Sequence, residues 1–186
     1  NSSRGTLMNG YFEAGDNRLN DPDQGGILVG THEEGKLENA YYDFTAPDGR
    51  KMLLFALEYG PRQVIVDWAN DIAARPEYAD HTAVLVTHAY MYNDDNRLDW
   101  ATYGTSQVAN PHAYSAFAPD VHDGQELWDE LVKVNENFEM VHSGHVIGAA
   151  QSDGDGTGYR ADDGVSGNAV HQFLFNAQHL AEGGTG

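Results

Sequence analysis

Apolar and polar positions change period several times along the chain, and each change marks a predicted element. Residues 40–45, Ala-Tyr-Tyr-Asp-Phe-Thr, and residues 51–58 are short apolar runs joined by Pro47-Asp48-Gly49-Arg50, a tight-turn sequence. Together they predict a β-hairpin. Gly60-Pro61 ends the second strand, and proline suits the first turn of a helix because its missing N–H would have no partner there. Over residues 62–75, Val64, Ile65, Trp68 and Ile72 fall at helical spacing while Asp67, Asn70 and Asp71 lie on another face, which predicts an amphipathic helix on a sheet. A strand follows at 82–87. After a long irregular stretch comes a second helix from about Gly124, with Asp123 as N-cap and Leu127, Leu131 and Val134 inward. Strands at 138–141 and 169–175 complete the pattern, the last preceded by a Gly- and Asp-rich loop. The first forty residues read as loop with one short strand at Ile27-Leu28-Val29. Alternation of strand and helix makes the chain α/β, and 186 residues form one domain with one sizeable core.

Composition narrows the function classes. The 29 acidic and 10 basic residues leave a formal charge of -19, which disfavours direct nucleic-acid binding because that needs a basic footprint. Lysine occurs only at Lys36, Lys51 and Lys133, and aspartates are spread along the chain. That pattern suits a saline environment, where a screened acidic surface stays hydrated. Without cysteine, thiolate metal sites and cysteine nucleophiles are excluded, and nitrogen and oxygen ligands remain. No stretch approaches the roughly 20 apolar residues of a membrane span. Asn1-Ser2-Ser3-Arg4 lacks an initiator methionine and a signal core, and Glu182-Gly183-Gly184-Thr185-Gly186 closes no element. The expectation is a mature product or an excised piece, truncated at both ends.

Two histidines carry the clearest chemical signal. Thr87-His88-Ala89-Tyr90 follows Ala83-Val84-Leu85-Val86, and Ser143-Gly144-His145-Val146 follows Phe138-Glu139-Met140-Val141. Open α/β sheets bind ligands beyond the carboxyl ends of their strands, where side chains from different strands converge. Neutral imidazole is the commonest side-chain metal ligand, so His88 and His145 are candidate metal ligands. In the polar stretch after His88, Asn93, Asp94 and Asp95 offer oxygens and Arg97 a fork for phosphate. Arg62 and Arg97 are the arginines best placed to reverse the acidic potential locally. Asp153, Asp155 and Thr157 match the start of a calcium loop, but Gly164 stands where its closing glutamate belongs. Gly164-Val165-Ser166-Gly167 has the wrong spacing for a nucleophile elbow.

At Ala56-Leu57-Glu58-Tyr59-Gly60-Pro61-Arg62, Val86-Thr87-His88-Ala89-Tyr90 and Ser143-Gly144-His145-Val146 the sequence resembles the calcineurin-like metallophosphoesterases, in particular bacterial, often exported members. The resemblance runs from Asn9-Gly10-Tyr11-Phe12 to Val170-His171-Gln172 and Asn176. Members hydrolyse phosphate mono- or diesters at a two-metal centre held by Asp-x-His, Gly-Asp, Gly-Asn-His-Asp/Glu, a lone His and Gly-His-x-His. The resemblance implies that His88 is the lone histidine and His145 the first histidine of the last motif, both on one ion. It also implies part of a sheet sandwich flanked by helices, and an extracytoplasmic or secreted location. The first three motifs are absent and would lie before residue 1, and Ile147 replaces the second histidine of the last motif. This chain would therefore carry only part of the metal site, with weak or no activity alone.

His112, in Asn110-Pro111-His112-Ala113-Tyr114, would face the same crevice by resemblance and contact substrate or protonate the leaving group; a structural role is equally open. Nitrogen and oxygen donors suit Mn, Zn, Fe or Ni, with Ca an option at the acidic loop. The expected partner is a phosphate ester, with no membrane, and exposed sheet edges would favour self-association. Two alternatives differ in class. One is a non-catalytic module with His88 and His145 structural or holding a single ion. The other is a hydrolase with a different single-metal site recruiting Asp94, Asp95 or His112.

Overall fold

A computed structural model describes residues 7–114, 116–147 and 156–178. The strands are β1 Leu28–Thr31, β2 Ala40–Thr45, β3 Lys51–Leu57, β4 Thr82–Thr87, β5 Phe138–Ser143, β6 Thr157–Asp163 and β7 Ala169–Phe175. The helices are α1 Gln63–Ala73, α2 Trp100–Tyr103 and α3 Gly124–Leu127, and α3 continues through a π-helical turn, Trp128–Val132. Before β1 the chain makes short 3-10 turns at Leu7–Gly10, Ala14–Asp16, Arg18–Asn20 and Pro22–Gln24. All strands join one sheet in the order β1-β2-β3-β4-β5-β7-β6. The fold is α/β with a mixed sheet: β3, β4, β5 and β7 run parallel, and antiparallel pairs flank them on both sides.

The hairpin of β2 and β3 closes where Gly49 takes a φ of 90°, open to glycine, and where Asp48 Oδ1 accepts the Arg50 N–H at 3.1 Å. Parallel pairing of β3 with β4 requires a crossover, which α1 supplies. The inward stripe of α1 is Ile65, Val66, Ala69, Ile72 and Ala73. Val64, predicted inward, is instead 47% exposed, because Val66 and Ala69 take the places facing the sheet. Arg62 is the N-cap, so Pro61 lies just before the helix rather than in its first turn.

Asp123 caps α3 as predicted, in a reciprocal box with Glu126. Val134 is 50% exposed because the helix ends before it, and the π turn brings Trp128 and Val132 inward beside Leu127 and Leu131. Gly124 begins the helix where a Cβ would stand 1.8 Å from the Tyr90 carbonyl oxygen, so glycine alone permits that approach.

One face of the sheet carries the core. Leu53 lies opposite Ala83 and Phe55 opposite Leu85, and these residues join Phe138, Val141, Val170 and Leu174 beneath Ile65, Ile72, Leu127 and Leu131. Phe55 and Phe138 stack at 5.7 Å. Residues that alternate with these point to the other face, where Val86 is 39%, Tyr159 49% and Phe175 64% exposed. Among the described residues that face carries no comparable core.

β6 was read from the sequence as loop, and the structure corrects this. Its inward positions are Arg160 and Asp162, which bond to each other and reach Asp95 and Gln172, so no apolar alternation marks the strand. Thr157, expected in a calcium loop, starts this ladder opposite Phe175; Asp153 and Asp155 lie outside the described residues. Among the described residues no helix is long and apolar enough to cross a membrane.

Candidate metal centre at the strand ends

The parallel strands deliver their carboxyl ends to one side of the sheet. Leu57 of β3 lies opposite Thr87 of β4, and Val86 opposite His142 of β5. Beyond the strands, the Gly144 N–H donates to the His88 carbonyl at 3.1 Å, and the Thr87 hydroxyl donates to the Glu58 carbonyl at 3.3 Å. These bonds hold the segments after β3, β4 and β5 together. His145 then takes a φ of 62°, a left-handed conformation that costs a non-glycine residue about 1 kcal/mol or more.

The result is a pair of facing imidazoles. His145 Nδ1 and His88 Nε2 are 3.1 Å apart, with ring centroids at 4.8 Å. Burial and the neighbouring His88 push the His145 pKa down to about 4, and partial burial lowers that of His88. Both rings are thus neutral at pH 7 and keep a nitrogen lone pair. Two imidazole nitrogens on one ion at about 2.0–2.1 Å stand roughly 2.9–3.4 Å apart across octahedral or tetrahedral angles. The observed spacing fits that geometry, and it also fits an N–H···N hydrogen bond between the rings.

Tyr59, from the turn after β3, borders the pair. Its Oη lies 3.5 Å from His145 Nε2, and burial, reinforced by Tyr114, pushes the phenol pKa up. Gly60 makes this turn with a φ of 52°, and a Cβ there would fall 2.5 Å from Val121 Cγ2. A cavity of about 410 Å³ opens beside His88, lined also by Glu38, Leu57, Thr87 and Gly144. The sequence reading missed Glu38. Asn9 Nδ2 donates to its Oε1, while its Oε2 is buried with no hydrogen-bond partner. Nothing local distinguishes this glutamate from its neighbours Glu33 and Glu34, and only folding brings it to the cavity.

Other predicted residues lie elsewhere or are committed. Arg97, expected to meet phosphate, is 5% exposed under the Trp128 ring, 4.0 Å from its centroid. Its guanidinium donates to Gln172 Oε1 at 2.7 Å, Asp162 Oδ2 at 2.5 Å and Gln125 Oε1 at 3.2 Å. It is an interior residue because the loop after β4 folds back over the sheet. Arg62 turns to carboxylates, 2.8 Å from Glu58 and 3.7 Å from Glu33. Asn93 lines an adjoining cleft of about 650 Å³ with Asp95 and Tyr159, which shares His142 and Phe175 with the first. Asp94 and Asp95 accept N–H groups, from Asn96 at 3.0 Å and Tyr159 at 2.8 Å.

His112 is drawn to the amino end of α3, where its Nε2 lies 2.7 Å from Glu126 Oε2, and it stacks on Trp100 at 6.2 Å. His112, Asp123 and Glu126 bring ligand atoms within 4.8 Å of one another, yet both Asp123 oxygens and Glu126 Oε2 already carry hydrogen bonds. Asp123 Oδ1 accepts the Gln125 and Glu126 N–H groups, and Oδ2 accepts from Trp100 N–H and Asn110 Nδ2. Glu126 Oε2 also accepts the Asp123 N–H at 2.9 Å. This arrangement is a helix cap extended by a histidine, and an ion there would have to displace the cap.

No protein-family profile matches the chain. Over 161 residues it is 27% identical to a Bacillus subtilis (strain 168) protein named "Uncharacterized protein YvnB", a stretch that covers 83% of this chain and 10% of that protein. The chain thus spans about a tenth of the length of the relative it matches.

Proposed function

We propose that this chain is part of a metal-dependent hydrolase of phosphate mono- or diesters, of calcineurin-like type, in which His88 and His145 hold one divalent transition ion. The observation that carries this reading is the 3.1 Å separation of His145 Nδ1 and His88 Nε2, on two neutral rings at the carboxyl ends of parallel strands. The donor set suits Mn, Zn, Fe or Ni. Bound there, such an ion would polarise phosphoryl oxygens and lower the pKa of water. The chain's own residues orient and shield. The left-handed backbone at His145 aims its ring at His88, and Tyr59 presents a protonated phenol beside them. Glu38 adds a carboxylate to the lining of the cavity beside His88.

Two histidines are fewer than the three protein ligands usual for a catalytic ion, so weak turnover by this chain alone is expected. The half-exposed apolar face of the sheet, with Val86 and Phe175, supports a place in a two-layer sandwich. A second reading has its own support: the same 3.1 Å contact is an ordinary hydrogen bond, as a non-catalytic module would have.

Elemental analysis after equilibrium dialysis against Mn²⁺ or Zn²⁺ separates them. Under the hydrolase reading, His88→Ala and His145→Ala each weaken metal retention at least about tenfold, and p-nitrophenyl phosphate turnover requires added ion. Retention equal to wild type in both variants would sink the shared site and leave the pair structural.

A further inference from the structure

Tyr59, Tyr114 and Phe117 form an aromatic cluster against the histidine pair. The Tyr59 ring lies 5.1 Å from His145 and 5.8 Å from His88, centroid to centroid. Phe117 stands 5.2 Å and Tyr114 5.9 Å from Tyr59, and Tyr114 approaches His145 at 6.2 Å. All of these rings meet tilted or edge to face, so they form a ledge rather than a closed stack. Tyr114 remains 41% exposed, so the ledge is open to solvent on its side.

We propose that this ledge receives the planar leaving group of the ester, so that the site selects aryl-type phosphate esters over alkyl ones. The proposal rests on the phosphoester reading above and specifies the alcohol side of the substrate. Two further observations point the same way. First, the chain has a net charge of -19, and the guanidinium groups of Arg62 and Arg97 are engaged by carboxylates. An anionic ester must therefore draw affinity from uncharged contacts as well as from the ion. Stacking on tyrosine and phenylalanine is such a contact. Second, His112, the one proton donor expected for a leaving group, is bound to Glu126 at the cap of α3. An aryl oxide is a far weaker base than an alkoxide and departs without a proton donor, so an aryl ester suits a site whose expected acid is tied up elsewhere.

The test uses the full chain and begins with Mn²⁺ alone, followed by titration calorimetry of the loaded protein with phenylphosphonate and with methylphosphonate. The expected result is at least about fivefold tighter binding of phenylphosphonate. Tyr114→Ala and Phe117→Ala should each reduce that preference with Mn²⁺ content unchanged, and Phe117→Leu should retain part of it. Equal affinity for the two phosphonates in the loaded wild type overturns the ledge and leaves the metal reading standing. A preference untouched by both alanine variants overturns it equally. Failure of the wild type to bind Mn²⁺ overturns the metal reading, and the ledge with it.

Discussion

Arg97 sits where its planar group can satisfy several acceptors at once. Beneath Trp128 it donates to Gln172, Asp162 and Gln125, while Tyr90 Oη donates to the same Gln172 oxygen at 3.1 Å. Its removal would leave buried acceptors short of donors and open a void under the indole. Arg97→Ala should cost about 2–4 kcal/mol in urea unfolding, and it should leave Mn²⁺ retention unchanged. Loss of metal with stability intact would return Arg97 to the site. Its residue type pointed to phosphate, because a guanidinium fork fits any planar oxygen pair. Nothing in the local sequence distinguished a phosphate from the side chains of Gln172 and Asp162, which lie 75 and 65 positions away. His145 shows the converse: its place after a strand was legible, whereas its contact with His88, 57 positions away, was not.

At the scale of elements, α3 shows what a cap does beyond its own helix. The Asp123 carboxylate satisfies two N–H groups of the first turn, and it also fixes Trp100 and Asn110. Burial raises its pKa, against the pull of those hydrogen bonds. Asp123→Ala should destabilise by about 2 kcal/mol, with Asp123→Asn losing less, as read from thermal unfolding. An unchanged midpoint would mean that the cluster serves something other than the cap. This cap was readable because capping is local chemistry, aspartate before a helical run with glutamate three positions on. β6 was not readable, because its inward residues are Arg160 and Asp162, which take their places only when Gln172 and Arg97 are present to pair with them.

For the whole molecule, pH acts through these same contacts. Arg160, then Gln172 and Arg97, hold the Asp162 pKa down to about 2. A depressed carboxylate contributes stability above its unfolded pKa, near 3.8, and that stability disappears as pH falls toward 2. The depressed His145 acts in the same direction at higher pH. The unfolded state binds its proton from about 6.5 downward and the folded state only near 4, so stability is lost as pH falls across that window. The metal-free chain should therefore unfold more readily from pH 6.5 to 4, and again below 4. In thermal melts, His145→Gln should flatten the first decline and leave the second. A stability that rose on acidification through pH 6.5 to 4 would contradict the neutral imidazole pair.

Local pattern alone determined most strands, both main helices, the α3 cap and the positions of His88 and His145 directly after apolar runs. Periodicity, turn residues and capping act within a few positions of themselves, so a chain displays them before it folds. Tertiary structure decided which side chains meet. Strand order and register bring His145 onto His88, Glu38 to the cavity beside His88, and Tyr114 and Phe117 onto Tyr59, while they draw Arg97 and His112 to internal partners. Those contacts join segments far apart along the chain, and their energies depend on burial and on lone pairs already in use, neither of which exists until the sheet has formed.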